Sequence, residues 1–202
     1  DVHVQLDADR DIIDKYLAKE KHPDYACNAV YAAMIEHVDQ SVGTIMNTIE
    51  KMGLTDNTLF IFFSDNGGVD NRFDNVPLLG GESKDVYPDG HPLRYIATTN
   101  APLRAGKGTL YEGGVRVPLI VRWPGKVNPA STTDALVSSV DFYPTFLELA
   151  GGKRPKKQVL DGFSMVPALT GNSFDPEREI FTHYPVYHHE QPMSAVRKGD
   201  WK

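Results

Sequence analysis

Between residues 25 and 52, Val30, Met34, Val38, Val42, Ile45, Ile49 and Met52 recur at steps of three and four. That spacing lines them up on one stripe of a helix packed on something flat. Gly53 stands where a helix end calls for positive φ. Asp24, after the break at His22 and Pro23, is the expected N-cap. A short loop, LTDN, then leads into LFIFF, 59–63, where every residue is apolar. A long amphipathic helix followed by a strand apolar on both faces is the pattern of an α/β layer with a parallel sheet.

The other elements are shorter. Residues 7–20 carry Ile12, Ile13, Tyr16 and Leu17 on one side of a charged helix. From 67 to about 106 periodicity is lost and Gly, Pro, Asn and Asp are frequent, which marks a long loop, functional or disordered. A second strand is expected in VRVPLIVRW, 115–123, with Pro118 forcing an edge position or a bulge. WPGKV, 123–127, is a turn. Residues 138–152 read as a helix with Asp141 at the N-cap, Pro144 in the first turn, and Gly151 and Gly152 at its end. KRPKKQ, 153–158, is a basic linker, so the expected organisation is 1–152 as one α/β portion and 153–202 as linker and start of a smaller subdomain. EIFTHY is a candidate strand, and RKGDWK reads as the beginning of another. Asp1 opens the chain without a methionine, and the expectation is a piece of a longer protein, cut short at both ends.

Charge and cysteine usage exclude several classes. With 27 acidic against 21 basic residues the net charge is −6, the wrong sign for a general nucleic-acid binder. A local basic pocket for a small anion stays open. No apolar run reaches the eighteen residues of a membrane span. The single cysteine, Cys27, can form neither an internal disulfide nor a zinc pattern, and reads as a small buried hydrophobe.

LFIFF is followed at once by Ser64, Asp65, Asn66, Gly67 and Gly68. In open α/β sheets ligands bind beyond the carboxyl ends of strands. An Asp and an Asn there supply hard oxygens suited to Ca²⁺ or Mg²⁺ rather than zinc. Asp, Asn and Gly are equally the ordinary residues of a β-turn. A Ca²⁺ site takes about 6–8 oxygens, so Asp65 and Asn66 can be only part of one.

LRAGKGTLYEGGVRVP, 103–118, is the second unusual stretch. A P-loop would need Gly at 101 and Ser or Thr at 108; the chain has Ala101 and Gly108, so that reading fails. A lysine between glycines can still meet an oxyanion as a point charge, and it can equally be a solvated turn residue.

SDNGG, GKGTLYEGGVRVP, the VDFYPTFLELAG helix and LDGFSMVPALTG, in this order, resemble the sulfatase family of the alkaline-phosphatase superfamily. YAAMIEHVDQSVGTIMNTIEKMGL resembles that family's helix before the SDNGG strand. The likeness covers nearly the whole chain. It implies an alkaline-phosphatase-like sandwich, with a central, mostly parallel sheet flanked by helices. It implies a sulfuric ester hydrolase acting on a sulfated carbohydrate or aryl ester, periplasmic or secreted. By position, Asp65 and Asn66 match the later ligands of the family's Ca²⁺ site (Ca²⁺ in preference to Mg²⁺), and Lys107 matches the lysine on the sulfate group. His3 resembles the histidine of a His-x-Pro segment on the sulfate ester, although Gln5 replaces the usual proline. Glu112 and Arg116 then read as supports of the loop that aims Lys107. The family's formylglycine, made from Cys or Ser in a Cys-x-Pro-x-Arg motif, has no counterpart here, since Cys27 sits in YACNA. The two early aspartates of the metal site are missing as well. A fragment without them is expected to be inactive alone.

Two further readings stand beside this one. A phosphatase or phosphonate hydrolase of the same superfamily would differ in the nucleophile motif. A non-catalytic carbohydrate-binding relative would have little need of Asp65, Asn66 and Lys107. In HYPVYHH, imidazole and aromatic groups suit a sugar ring, and His183 is the candidate substrate-binding residue. A solvated loop accounts for the same segment. His91 and Arg94 could also face substrate.

Overall fold

The computed structural model describes residues 5–69, 76–172, 174–175, 177–187 and 191–202. His3 lies outside the described residues, as do His188 and His189. The named elements are α1 (Arg10–Leu17), α2 (Ala29–Lys51), β1 (Phe60–Phe63), α3 (Glu112–Val115), β2 (Leu119–Arg122), α4 (Phe142–Leu149), α5 (Val166–Leu169), β3 (Glu179–Tyr184) and β4 (Met193–Lys198). Among the described residues there are two sheets of two strands each, β1 with β2 and β3 with β4. The α/β character is present, whereas a broad central sheet is not among them. The chain divides into two units. The first holds Asp1–Leu54, Phe63–Pro118 and Val186–Gln191; the second holds Thr55–Phe62, Leu119–Pro185 and Pro192–Lys202.

In the first unit, α1 and the start of α2 share a core of Leu6, Ile13, Ala29, Val30, Ala33, Leu78, Leu79, Tyr87 and Ala97. Burying a side chain such as Ile13 or Leu78 is worth roughly 1.5–3 kcal/mol. Ile12, Tyr16 and Leu17 of α1 pack against this core, as their spacing predicts. The N-cap of α2 is Asn28 rather than Asp24. Asn28 Oδ1 accepts from the amides of Val30 (3.0 Å) and Tyr31 (3.1 Å), while Nδ2 donates to the carbonyls of Leu93 and Ile96. A carboxylate could not make those two donations, so this buried cap selects the carboxamide. At the other end Gly53 takes φ 67°. The amides of Gly53 and Leu54 return to the carbonyls of Glu50 and Ile49, which is the Schellman closure.

The aperiodic stretch does more than loop. Leu78, Leu79, Tyr87 and Ala97 come from it, and the Tyr87 hydroxyl accepts the first amide of α2, Ala29 (2.8 Å). Leu6 bridges to it in parallel, its amide donating to Leu78 and its carbonyl accepting from Gly80. Beside that bridge Asp7 Oδ1 accepts from the Ser83 hydroxyl (2.5 Å) and amide (3.0 Å). His91 and Arg94 also have internal partners: His91 caps the turn at Leu93 and stacks on Tyr87, and Arg94 binds the Tyr87 carbonyl and Asp89. Only the first turns of the α2 stripe are buried; Ile45 is 52% and Met52 65% exposed.

In the second unit, β2 begins at Leu119, later than expected, because residues 112–115 form the short helix α3. Pro118 therefore precedes the strand instead of bulging it. The 123–127 turn forms, with the amides of Lys126 and Val127 on the Trp123 carbonyl. Helix α4 ends like α2: Gly151 has φ 65°, and Gly151 and Gly152 donate to Glu148 and Leu147. Asp141 is the N-cap residue of α4, as expected, but its side chain makes no capping bond to the helix. Its carboxylate is fully buried and forms a two-pronged pair with Arg178, Oδ2 to Nη1 at 2.6 Å and Oδ1 to Nη2 at 2.7 Å. It also accepts the amides of Ser138 (2.7 Å) and Phe163 (2.9 Å). Strand β3 matches EIFTHY and pairs antiparallel with β4, Glu179 opposite Lys198 and Tyr184 opposite Met193. The RKGDWK segment is the end of β4 and a turn, with reciprocal bonds between Lys198 and Trp201.

Two outcomes are expected in the full-length protein. Replacing Arg178 by Met leaves the Asp141 charge buried and should cost about 3–5 kcal/mol; a loss below about 1 kcal/mol in urea unfolding would show that water or another cation compensates. For Asp7, the Ser83 hydroxyl bond holds the carboxyl below the ordinary range, assisted by the amides of Glu82, Ser83 and Ala8, while burial opposes. A lowered folded value gives stability that is complete above the unfolded pKa, about 3.9, and is lost as pH falls through the folded one. Asp7→Asn should therefore flatten the acid limb of a stability–pH curve; an unaltered limb would contradict this.

Candidate functional site

The 64–68 turn directly follows β1 and lies in the first unit. The Ser64 hydroxyl donates to the Asn66 carbonyl (3.0 Å), and the Asn66 amide donates to Asp65 Oδ1 (3.1 Å). Asn66 Nδ2 donates to the Gly67 carbonyl (3.0 Å). The turn reading is thus realised. None of these bonds engages Asp65 Oδ2 or Asn66 Oδ1, and Asp65 is exposed.

The second loop, 105–114, lies against this turn backbone to backbone. The Gly67 amide donates to the Gly114 carbonyl (3.0 Å), and the Lys107 amide donates to the Gly68 carbonyl (3.0 Å). A Cβ on Gly67 would overlap the Gly113 carbonyl, and one on Gly113 would overlap the carbonyls of Ala105 and Arg104. Both positions exclude any side chain. The Gly113 amide closes the loop on the Arg104 carbonyl (2.9 Å), and the Arg104 guanidinium lies over the Tyr111 ring at 4.0 Å. Ala105 sits at φ 59°, a left-handed conformation that costs a non-glycine residue of order 1–3 kcal/mol. Helix α3 carries Glu112 in its first turn, and the Arg116 amide returns to the Glu112 carbonyl (2.8 Å).

Asp65, Asn66 and Lys107 therefore stand on two segments joined by main-chain bonds three residues or fewer from each of them. Lys107 itself is half-buried. His183 belongs to the second unit, on the exposed face of β3, with Nδ1 2.6 Å from Ser194 Oγ on β4. Asn100 went unnoticed in the sequence, though its carboxamide lies between the two loops. Its only sequence signal is a polar residue opening the NAPLR run before the lysine loop. Among the described residues no group of three or more His, Cys, Asp or Glu could hold a metal ion. The chemistry of the two oxygens fits Ca²⁺, which takes about 6–8 oxygens, so two would be only part of its ligand set. No helix among these residues is long and apolar enough to cross a membrane.

Comparison with known proteins bears on the same segments. The sulfatase family model matches residues 10–152, and the model described as N-sulphoglucosamine sulphohydrolase, C-terminal, matches 105–202. A sulfatase of Formosa agariphila is 39% identical over 92% of this chain and 32% of its own length. Human arylsulfatase A is 39% identical over 82% of the chain and 28% of its own. The crystal structure of Ps i-CgsB in complex with k-i-k-neocarrahexaose superposes with a TM-score of 0.72 at 31% identity, covering 97% of this chain and 37% of that one. The chain thus spans about a third of the length of these relatives. Both loops of the site fall inside the 10–152 match, and on that match the chain belongs to the sulfatase family.

Proposed function

We propose that this chain serves the hydrolysis of sulfate monoesters of carbohydrates, as part of a longer enzyme with an alkaline-phosphatase-like sandwich in which β1 is one strand of the central sheet. Residues 1–152 then belong to the catalytic α/β portion and 153–202 to the start of the C-terminal subdomain. The observation that supports it most is the main-chain docking of the 64–68 turn on the 105–114 loop. It brings candidate cation ligands and a lysine to one place within the first unit. The carbohydrate reading leans on Ps i-CgsB, whose ligand name denotes a six-sugar chain. A secreted or periplasmic location suits such a polymeric substrate.

Hydrolysis of a sulfate monoester breaks the bond between sulfur and the bridging oxygen and releases sulfate and an alcohol. The non-bridging oxygens carry the charge that a nucleophile must overcome, so fixed positive charge lowers the barrier. Asp65 and Asn66 would hold Ca²⁺, which when bound supplies Lewis acidity and a template for the sulfate oxygens. Lys107 would set its ammonium against those oxygens. His3 would give the leaving oxygen its proton, and His183 would contact the sugar. The formylglycine that the family resemblance implies would come from outside residues 1–202. Cys27 is no substitute, since its Sγ faces the carbonyls of His22 and Tyr25.

Lys107→Ala in the full-length enzyme should lower kcat by about 10²–10³-fold, with Ca²⁺ affinity little altered. Asp65→Asn should weaken Ca²⁺ binding in a calorimetric titration. Turnover of a sulfated oligosaccharide unaffected by Lys107→Ala would remove the lysine from the mechanism. Preference for the matching phosphate ester would move the enzyme to phosphoryl transfer, and sugar binding without Ca²⁺ or turnover would mark a binding protein.

A further inference from the structure

Asn100 makes three hydrogen bonds that join the two site loops. Its Oδ1 accepts the Gly68 amide (3.1 Å), while Nδ2 donates to the Gly68 carbonyl (2.9 Å) and the Ala105 carbonyl (3.2 Å). The Gly68 carbonyl accepts the Lys107 amide as well. One side chain thus occupies both main-chain groups of the residue two beyond Asn66 and one main-chain group two before Lys107. The Leu103 amide closes on the Asn100 carbonyl (2.9 Å), which fixes the backbone from which the carboxamide reaches. A Cβ on Gly68 would lie 3.0 Å from Asn100 Oδ1 and 3.0 Å from Thr98 Cγ2, so the glycine leaves room for the clamp.

We propose that Asn100 is a positioning residue for the sulfatase reaction, setting the distance between the cation ligands Asp65 and Asn66 and the sulfate-facing Lys107. The inference rests on the functional reading above. No other side chain of this size meets the requirement. Aspartate cannot donate to two carbonyls and would set a charge against both. Leucine would take the carboxamide's bond from the Gly68 amide and the Ala105 carbonyl, and leave the Gly68 carbonyl with the Lys107 amide in place of two donors. Displacing a catalytic group by about 1 Å can cost about 10²-fold in rate.

The test uses the full-length enzyme with three readouts: kcat and KM on a sulfated oligosaccharide, titration with CaCl₂, and exchange of the Gly68 and Lys107 amides. Asn100→Ala should lower kcat about 10–100-fold with KM changed less than about threefold. The two amides should exchange about 10-fold faster or more, with α2 unaffected. Asn28→Ala, which removes the α2 cap, should lower the melting temperature yet keep wild-type kcat below it. If the alanine variant does not fold, Asn100→Asp, which can still accept the Gly68 amide but loses both donations, should show the same split. A kcat within twofold of wild type in a folded Asn100 variant overturns the proposal, as does a loss that only tracks the unfolded fraction. If wild-type enzyme neither cleaves a sulfate ester nor binds Ca²⁺, the functional reading falls instead. In that event amide exchange decides the clamp: faster exchange supports it and unchanged exchange overturns it.

Discussion

The closest contact between the two site loops is made of main chain. Gly67 meets Gly113 and Gly114 so closely that a single Cβ on Gly67 or Gly113 would overlap a carbonyl. No side chain fits between Gly67 and Gly113, so amide hydrogen bonds set that approach with little tolerance, and the Asn100 carboxamide ties the next residue, Gly68, to Ala105. Asp65 and Lys107 inherit that precision. Both sit on irregular backbone, which would otherwise be a poor base for a site. The strained φ of Ala105 is consistent with a loop held by its contacts and not by its own preference.

The second unit relies on the opposite device. Asp141 and Arg178 are buried, charged and 37 residues apart in the chain. Each would be costly alone, so the pair fixes which segments meet more than it adds stability. Asp141 takes two backbone amides besides, and the Thr145 hydroxyl donates to its carbonyl (2.6 Å) while accepting the Met165 amide (2.8 Å). The pre-helix turn, the 161–165 segment and the entry to β3 thereby share one polar centre. An error in any of them leaves a buried group unpaired.

The sequence disclosed those features whose physics is local. Both Schellman ends are carried by a glycine at the right place, so Gly53 and Gly151 were legible. The α1 stripe was legible because period 3.6 survives in eight residues. Asp24 and Asn28 are both good caps by type; what separates them is two carbonyls contributed from residues 93 and 96. The core residues Leu78, Tyr87 and Ala97 stand on backbone without a period, so no window over the sequence exposes them. Asn100 was hidden for the same reason: its worth lies in two loops that meet only after folding. For the site, the motifs gave Asp65, Asn66 and Lys107 as separate candidates, and the fold supplies their adjacency.

The long helix carries a further consequence of its own pattern. Its stripe continues through Ile45 to Met52, yet burial among the described residues stops after its first turns. Strand β1, apolar throughout, is half-buried along its whole length. Hydrophobic surface of this regularity is patterned for burial against neighbours. The relatives that match this chain are about three times its length. As the proposed ligands of Ca²⁺, Asp65 and Asn66 would be partial in the same sense, since the ion takes about 6–8 oxygens. Core and site therefore share one physical condition. Strand β1 runs directly into the turn that carries Asp65 and Asn66, so its apolar side chains and the proposed ligands follow one another along the same few residues.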